Sequence, residues 1–145
     1  MTSFVIASTS KSSSNLGKSG SLPDFSANSQ LQYLWVQQNN FSGSLPNFGN
    51  NGNIYYVNVT RNNFGGQIPK FTNLSNLRYL FLQNNSFTSI GEPNNLPSLW
   101  YYYAHNNQLA GEIPDFTTCT NLRYMTLYNN QLSAYKVGSF KSLYR

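Results

Sequence analysis

The chain has 145 residues, with nine Lys and Arg against four Asp and Glu, one His and one Cys. This length suits a single domain, and an aromatic content of 16% argues against a disordered chain. A single Cys excludes an internal disulfide framework, and the few scattered acids leave little material for acid–base or metal chemistry. The composition therefore predicts a non-enzymatic domain that needs no cofactor and no metal.

The basic residues lie singly along the chain, although the formal net charge is +5. Nucleic-acid binding requires clustered Lys and Arg, so we expect no nucleic-acid partner. No apolar run approaches the roughly 18–20 residues that span a membrane. The first residues, MTSFVIA, lack the basic region of a secretory signal peptide. We therefore expect no membrane insertion and synthesis without a signal peptide.

Residues 1–19 are predicted to form an N-terminal attachment or capping segment. The motif GSLPDF at residues 20–25 recurs as GSLPNF at residues 43–48. Residues 20–30 therefore form the second half of a repeat. Its first half, residues 8–18, has lost the apolar positions.

From residue 31 onward, the sequence repeats with a period of 22 or 23 residues. Positions one, four and six of each repeat are apolar, and position nine is always Asn. The repeats begin at Leu31, Ile54, Leu77, Leu99 and Leu122, and the Asn column is Asn39, Asn62, Asn85, Asn107 and Asn130. Positions three to seven alternate outward and inward, which is the period of a strand. Each repeat thus adds one strand to a parallel sheet, and stacking supplies the stability.

This pattern, L-x-x-L-x-L-x-x-N-x-L followed by G-x-I-P, resembles the plant-type leucine-rich repeat. The resemblance implies a right-handed solenoid of about five to six turns, with a parallel β-sheet on its concave face and little helix. The Asn column is expected to form a structural ladder that satisfies backbone groups in its own and adjacent turns. Phe140 and Leu143 continue the apolar pattern without a polar cap. We therefore expect the solenoid, residues 20–145, to continue beyond residue 145 or to be covered by a partner.

Positions three, five and seven are predicted to point outward from the sheet, and position three is Tyr in all five repeats. Two interpretations remain open, a stacking ladder that stabilises the sheet and a recognition surface. Tyr and Trp with few charges suit a protein partner, and aromatic rings with amides also suit sugars. The candidate ligand-binding residues are Tyr33, Trp35, Tyr56, Tyr79, Phe81, Trp100, Tyr101, Tyr103, His105, Tyr124 and Tyr128.

Plant receptor ectodomains and polygalacturonase inhibitors share the G-x-I-P repeat but usually carry Cys-pair caps and a signal peptide. The Asn-, Tyr- and Ser-rich repeats, such as YLFLQNN at residues 79–85, more closely resemble those in structural proteins of marine, cyanophage-like bacteriophages. The first hypothesis is therefore an adhesion module of a virion, in a phage tail or fibre, that contacts a protein or glycan on the host surface. This hypothesis implies a location on the virion or the extracellular surface.

Two other hypotheses remain. The chain could be a structural assembly element that packs against other virion subunits or copies of itself as a homo-oligomer or larger assembly. It could also be a receptor-like ectodomain that binds a peptide or protein ligand.

Overall fold

The computed structural model describes residues 2–5, 17–49 and 51–135. Twelve β-strands and no helix are found in these three ranges. The strands are β1 Thr2–Val5, β2 Ser19–Gly20, β3 Leu31–Trp35, β4 Asn40–Ser44, β5 Tyr56–Asn58, β6 Asn63–Ile68, β7 Tyr79–Phe81, β8 Ser86–Ile90, β9 Tyr101–Tyr103, β10 Ala110–Ile113, β11 Tyr124–Thr126 and β12 Gln131–Tyr135.

The strands stack as two sets of parallel sheet. The first sheet has six strands in the order β1-β3-β5-β7-β9-β11, and the second has four in the order β2-β4-β6-β8. Strand β10 pairs with β12 in a further parallel pair beside the second sheet. Each full turn thus contributes one strand to either side. The predicted solenoid of about five turns with parallel sheets and little helix is confirmed.

The N-terminal segment contributes the edge strand β1, which the sequence pattern did not place. Strand β1 pairs in parallel with β3, so that Ser3 lies opposite Tyr33 and Val5 opposite Trp35. The regular offset would have put a strand in residues 8–18, whereas the observed strand lies closer to the N-terminus. Residues 6–16, and the apolar positions Phe140 and Leu143, lie outside the described residues.

Apolar side chains from positions one, four and six fill one half of the core. Leu31, Leu34 and Val36 of the first full repeat are fully buried, and their counterparts in the next repeats are buried as well. Met125 and Leu127 in the last described turn are only partly buried, because no further turn packs on them among the described residues.

Two columns of phenylalanine fill the other half of the core. The rings of Phe41 and Phe64 stack with centroids 6.3 Å apart and planes within 12°, and the Phe64 ring stacks on Phe87 at 6.4 Å. The second column stacks the Phe48 ring on Phe25 at 6.0 Å and on Phe71 at 5.7 Å. Stacked rings therefore fill the space between the two sheets where no helix packs.

The Asn column connects adjacent turns through hydrogen bonds to the backbone. Asn62 donates from Nδ2 to the carbonyls of Val36 and Val59 at 2.8 and 3.0 Å, and its Oδ1 accepts the Phe41 N–H at 3.0 Å. The same three bonds recur at Asn85, Asn107 and Asn130. Each amide thus ties its own turn to the preceding one where the chain leaves the first sheet.

The residue before each ladder Asn adopts a left-handed backbone conformation, which the sequence pattern did not predict. The φ angles at position eight lie between 53° and 58° in Gln38, Arg61, Asn84, Asn106 and Asn129. Most L-residues disfavour this region, and Asn tolerates it best after Gly. Three of these five residues are Asn, and their side chains form a second amide ladder from Asn129 through Asn106 to Asn84.

Candidate ligand-binding face

The register of the first sheet aligns the outward positions of successive turns. Residues at position three lie opposite one another along the sheet: Tyr33, Tyr56, Tyr79, Tyr101 and Tyr124. Position five forms a parallel row of Trp35, Asn58, Phe81, Tyr103 and Thr126. Because neighbouring strands are in register, the two rows lie side by side and form a continuous surface.

Ring contacts join the tyrosines of position three. The Tyr79 and Tyr101 rings stack with centroids 5.3 Å apart, and Tyr101 stacks on Tyr124 at 4.6 Å with planes within 8°. Tyr56 contacts Tyr79 in a tilted arrangement at 5.7 Å. Each aromatic pair adds about 0.5–1.5 kcal/mol to the burial of its area, so the column stabilises the sheet whatever else it does.

Positions five and seven extend these contacts across the face. The Trp35 ring meets Tyr56 edge-on at 5.5 Å. The Phe81 and Tyr103 rings are 5.3 Å apart. His105 stacks on Tyr128 at 4.4 Å. Together with the pairs Tyr33–Trp35, Tyr56–Phe81, Tyr103–His105 and Trp100–Tyr101, the structure brings all eleven candidate residues into one chain of ring contacts. We call this set the aromatic array.

Exposure is greatest at the two ends of the aromatic array. Trp35 is 38% exposed near one end, and Tyr124 and Tyr128 are 49% and 57% exposed at the other. The rings between them are half-buried, because their neighbours cover part of their surface. A ligand would therefore find the most accessible ring surface near the two ends of the array.

The aromatic array contains no Lys, Arg, Asp or Glu. Burial lowers the pKa of His105, whose Nδ1 shares a hydrogen bond of 2.7 Å with the Thr126 hydroxyl. A side-chain hydrogen bond with Tyr55 raises the pKa of Tyr79, and burial raises that of Tyr103. These shifts favour the neutral imidazole of His105 and the neutral phenols of Tyr79 and Tyr103. The array thus offers apolar surface with hydrogen-bonding groups.

A groove runs beside the array at position two, where the chain enters each strand. Its volume is about 420 Å³, and its lining residues are Tyr55, Asn76, Arg78, Ser98, Trp100, Asn121 and Arg123. The sequence pattern indicated Trp100 as an extension of the face but missed Tyr55, Arg78 and Arg123. Position two lies where the chain enters each strand, so the in-and-out alternation of the strand does not assign it to a face. The only sign of the groove in the sequence was that this position repeatedly holds large polar or aromatic residues.

Aromatic contacts make the groove continuous with the array. The Tyr55 ring lies 5.8 Å from Tyr33 and 5.5 Å from Tyr79. The Arg78 guanidinium lies over the Trp100 ring, with Cζ 4.0 Å from the ring centroid. A guanidinium at this distance from an indole ring forms a cation–π interaction.

Other chemistry is sparse in the described part of the chain. No group of three or more His, Cys, Asp or Glu within it could hold a metal ion. Cys119 is buried, and burial raises the pKa of its thiol to about 12. No helix among the described residues has the length and hydrophobicity needed to cross a lipid bilayer.

The two parallel sheets, the Asn ladder and the repeat period are those of a leucine-rich-repeat solenoid. Residues 30–51 and 76–99 match the family model described as Leucine Rich Repeat. No curated protein matches the sequence closely.

Solved structures of receptors are similar to the chain. A TDR receptor shares 31% identity at a TM-score of 0.73 over 86% of this chain and 23% of the receptor chain. The leucine-rich-repeat ectodomain of the receptor kinase SOBIR1 from Arabidopsis thaliana shares 29% sequence identity with a TM-score of 0.63, over 74% of this chain and 62% of that chain. Pollen Receptor Kinase 3 shares 29% sequence identity with a TM-score of 0.67, over 83% of this chain and 61% of that chain.

The chain therefore resembles plant receptor ectodomains and spans less than two thirds of each of these receptor chains. This likeness favours the receptor-type hypothesis over the virion hypothesis that ranked first on sequence grounds. The phage resemblance and the virion location stay predictions.

Proposed function

We propose that the chain is a protein-binding module of the receptor type, which holds a peptide segment of its partner along the aromatic array. One observation carries this proposal: eleven aromatic and imidazole rings form a continuous, partly exposed surface on one sheet. Such rings are enriched at the cores of protein interfaces. Tyr and Trp supply rigid contact area at a low cost in conformational entropy.

The dimensions of the array favour a peptide over a whole globular partner. Five strands spaced about 4.8 Å apart give a length of about 20 Å, and positions three to seven give a width of about 13 Å. The resulting area of about 250 Å² is well below the roughly 800 Å² that each partner buries in a standard protein–protein interface. An extended segment of about six residues covers the length.

The likeness to receptor ectodomains supports the same class of function, and leucine-rich-repeat domains generally bind without catalysing a reaction. Adhesion to a host glycan and assembly with virion subunits are the competing hypotheses that the experiment must separate.

The experiment selects binders from a random peptide library on the folded chain and measures their affinity by fluorescence anisotropy of the labelled peptides. A variant combining Trp35→Ser and Tyr103→Ser removes two rings from the face without touching a buried core residue. Gln67→Ser, on the exposed part of β6 in the second sheet, is the matched control. We expect the double variant to weaken binding about tenfold or more, as for interface hot spots, and the control to bind like the wild type.

Selected peptides that bind the double variant as well as the wild type would contradict the proposal. Failure to select any peptide, with saturable binding of host polysaccharide, would favour the glycan hypothesis. Concentration-dependent self-association without either ligand would favour assembly. Circular dichroism of each variant checks that the β-sheet is retained.

A further inference from the structure

The groove beside the aromatic array holds two arginines that flank one tryptophan. Arg78, Trp100 and Arg123 occupy position two in three successive turns. Their backbones are in direct register, since the Trp100 N–H donates to the Arg78 carbonyl at 3.0 Å and the Arg123 N–H donates to the Trp100 carbonyl at 3.1 Å. The two arginine backbones are therefore about 10 Å apart, at two strand spacings.

The stacking of Arg78 leaves its hydrogen-bonding edge available. A guanidinium over an aromatic ring uses its flat face, whereas its N–H groups lie in the plane around the edge. The indole of Trp100 thus fixes the guanidinium without occupying its donors. A planar carboxylate fits such an edge with two parallel hydrogen bonds.

Arg123 is held differently but also retains donors. It is exposed, and one terminal nitrogen donates to the carbonyls of Thr120 and Leu122 at 3.4 and 3.1 Å. These two bonds involve the same nitrogen, so the other N–H groups of the guanidinium remain available to a ligand. The backbone contacts hold the side chain over the groove, which lowers the entropy lost when a ligand binds.

Acidic residues are segregated from this groove. Among the described residues that line it, two are arginines and none is acidic. Glu92 and Asp115 line a separate groove together with Lys70. Asp24 accepts the Ser26 N–H, and Glu112 lies in β10 beside the second sheet. The four acidic residues of the chain are thus on other surfaces, and the groove is positive without an internal counter-charge.

We infer that the groove binds an acidic peptide segment, whose two carboxylates pair with Arg78 and Arg123 on either side of Trp100. This inference rests on the proposed peptide-binding function and adds the chemistry of the ligand. Two acidic residues three positions apart in a polyproline II segment lie on one side of it, about 9.3 Å apart. That separation matches the spacing of about 10 Å between the two arginine backbones, whereas adjacent acidic residues point to different sides.

The probe is a fluorescein-labelled, proline-rich peptide that carries two glutamates three positions apart, and fluorescence anisotropy of the full chain reports binding. Control peptides replace both glutamates by glutamine or place them next to each other. We expect Arg78→Gln and Arg123→Gln each to raise the dissociation constant about tenfold. Arg78→Lys should also weaken binding, because a lysine keeps the charge but loses the planar fork.

Lys70→Gln is the matched control, since it removes the same charge from an exposed site in the separate groove. It should leave the dissociation constant unchanged. Equal weakening by Lys70→Gln and Arg78→Gln would overturn the inference, because general attraction to a positive chain would then explain binding. Equal affinity for the glutamate and glutamine peptides would overturn it as well. Arg123→Gln provides an independent test if Arg78→Gln alters the circular dichroism spectrum.

Two further measurements separate this inference from its alternatives. A heparin-derived tetrasaccharide that binds through Arg78 and Arg123, with no binding of the acidic peptide, would show that the occupant is a sulfated glycan and would overturn the inference. If neutral library peptides bind in a way that depends on Trp35, and acidic peptides bind no better, the role of the groove is refuted while the proposed function is supported. If acidic peptides bind in a way that depends on Arg78, and no selected ligand depends on Trp35, the binding role of the groove is supported and that of the aromatic array is refuted.

Discussion

Replacement of Asn62 by Ala tests whether the amide ladder holds the turns together. The substitution removes two short donated hydrogen bonds, a longer one of 3.4 Å to the Thr60 carbonyl, and one accepted hydrogen bond in the middle of the solenoid. The Val36 carbonyl still accepts from Asn39 at 3.1 Å, and the Val59 carbonyl still accepts from Asn85 at 3.0 Å. The Phe41 N–H, by contrast, loses its acceptor inside the protein.

The cost follows from these partners. A buried N–H left without an acceptor costs about 1–3 kcal/mol, and each of the two short donated bonds contributes about 0.5–1.5 kcal/mol. We therefore expect Asn62→Ala to lower the free energy of unfolding by about 2–6 kcal/mol. This loss is a large fraction of the roughly 5–15 kcal/mol that stabilises a natural domain.

Urea unfolding followed by circular dichroism measures this loss as a lower transition midpoint. Asn63→Ala is the matched control, because Asn63 is the next residue and exposed, and its side chain donates to the Asn40 Oδ1 at 2.6 Å. It should change stability by no more than about 0.5 kcal/mol. A loss below about 1 kcal/mol for Asn62→Ala, or an equal loss for Asn63→Ala, would refute the reasoning.

Three further substitutions test other features of the fold. Arg61→Asn should raise the free energy of unfolding by about 0.5–1 kcal/mol, because Arg61 has a φ of 55° and Asn tolerates that conformation better; an unchanged or lower urea midpoint would contradict this. Gly91→Ala should destabilise by about 1–3 kcal/mol, since its Cβ would lie 2.5 Å from the Ile68 carbonyl oxygen. Gly65→Ala, whose Cβ would meet its nearest atom at 3.5 Å, should cost less in the same assay. Burial raises the pKa of the Cys119 thiol to about 12 from an ordinary 9.0, so folding favours the protonated form. The stability that this thiol contributes is therefore complete below pH 9.0 and is lost as the pH rises toward 12. Cys119→Ala should flatten this part of the stability profile, and an unchanged slope would show that the thiol does not contribute.

Features that repeat could be predicted from the sequence alone. A residue that recurs at the same position of each turn stacks on its counterparts, because a solenoid places each turn directly on the preceding one. The inward columns at Leu31, Leu34 and Val36 and the outward tyrosines followed from this translation. The stacking of Tyr79 on Tyr101 and of Tyr101 on Tyr124 required no information beyond the period and the alternation of a strand.

Features that depend on backbone conformation, on side-chain orientation or on a break in the repeat period could be seen only in the tertiary structure. Strand β1 lies outside the repeat offset, so no column located it. The left-handed turn at Gln38 and Arg61 gave no signal, because these residue types are not typical of that conformation.

The position-two groove needed the distance of 4.0 Å between the Arg78 guanidinium and the Trp100 ring, which depends on side-chain rotamers and not on the repeat. Periodicity therefore determined which residues share a column. Packing between columns decided which of them meet, because lateral contacts depend on side-chain geometry that a linear pattern does not encode.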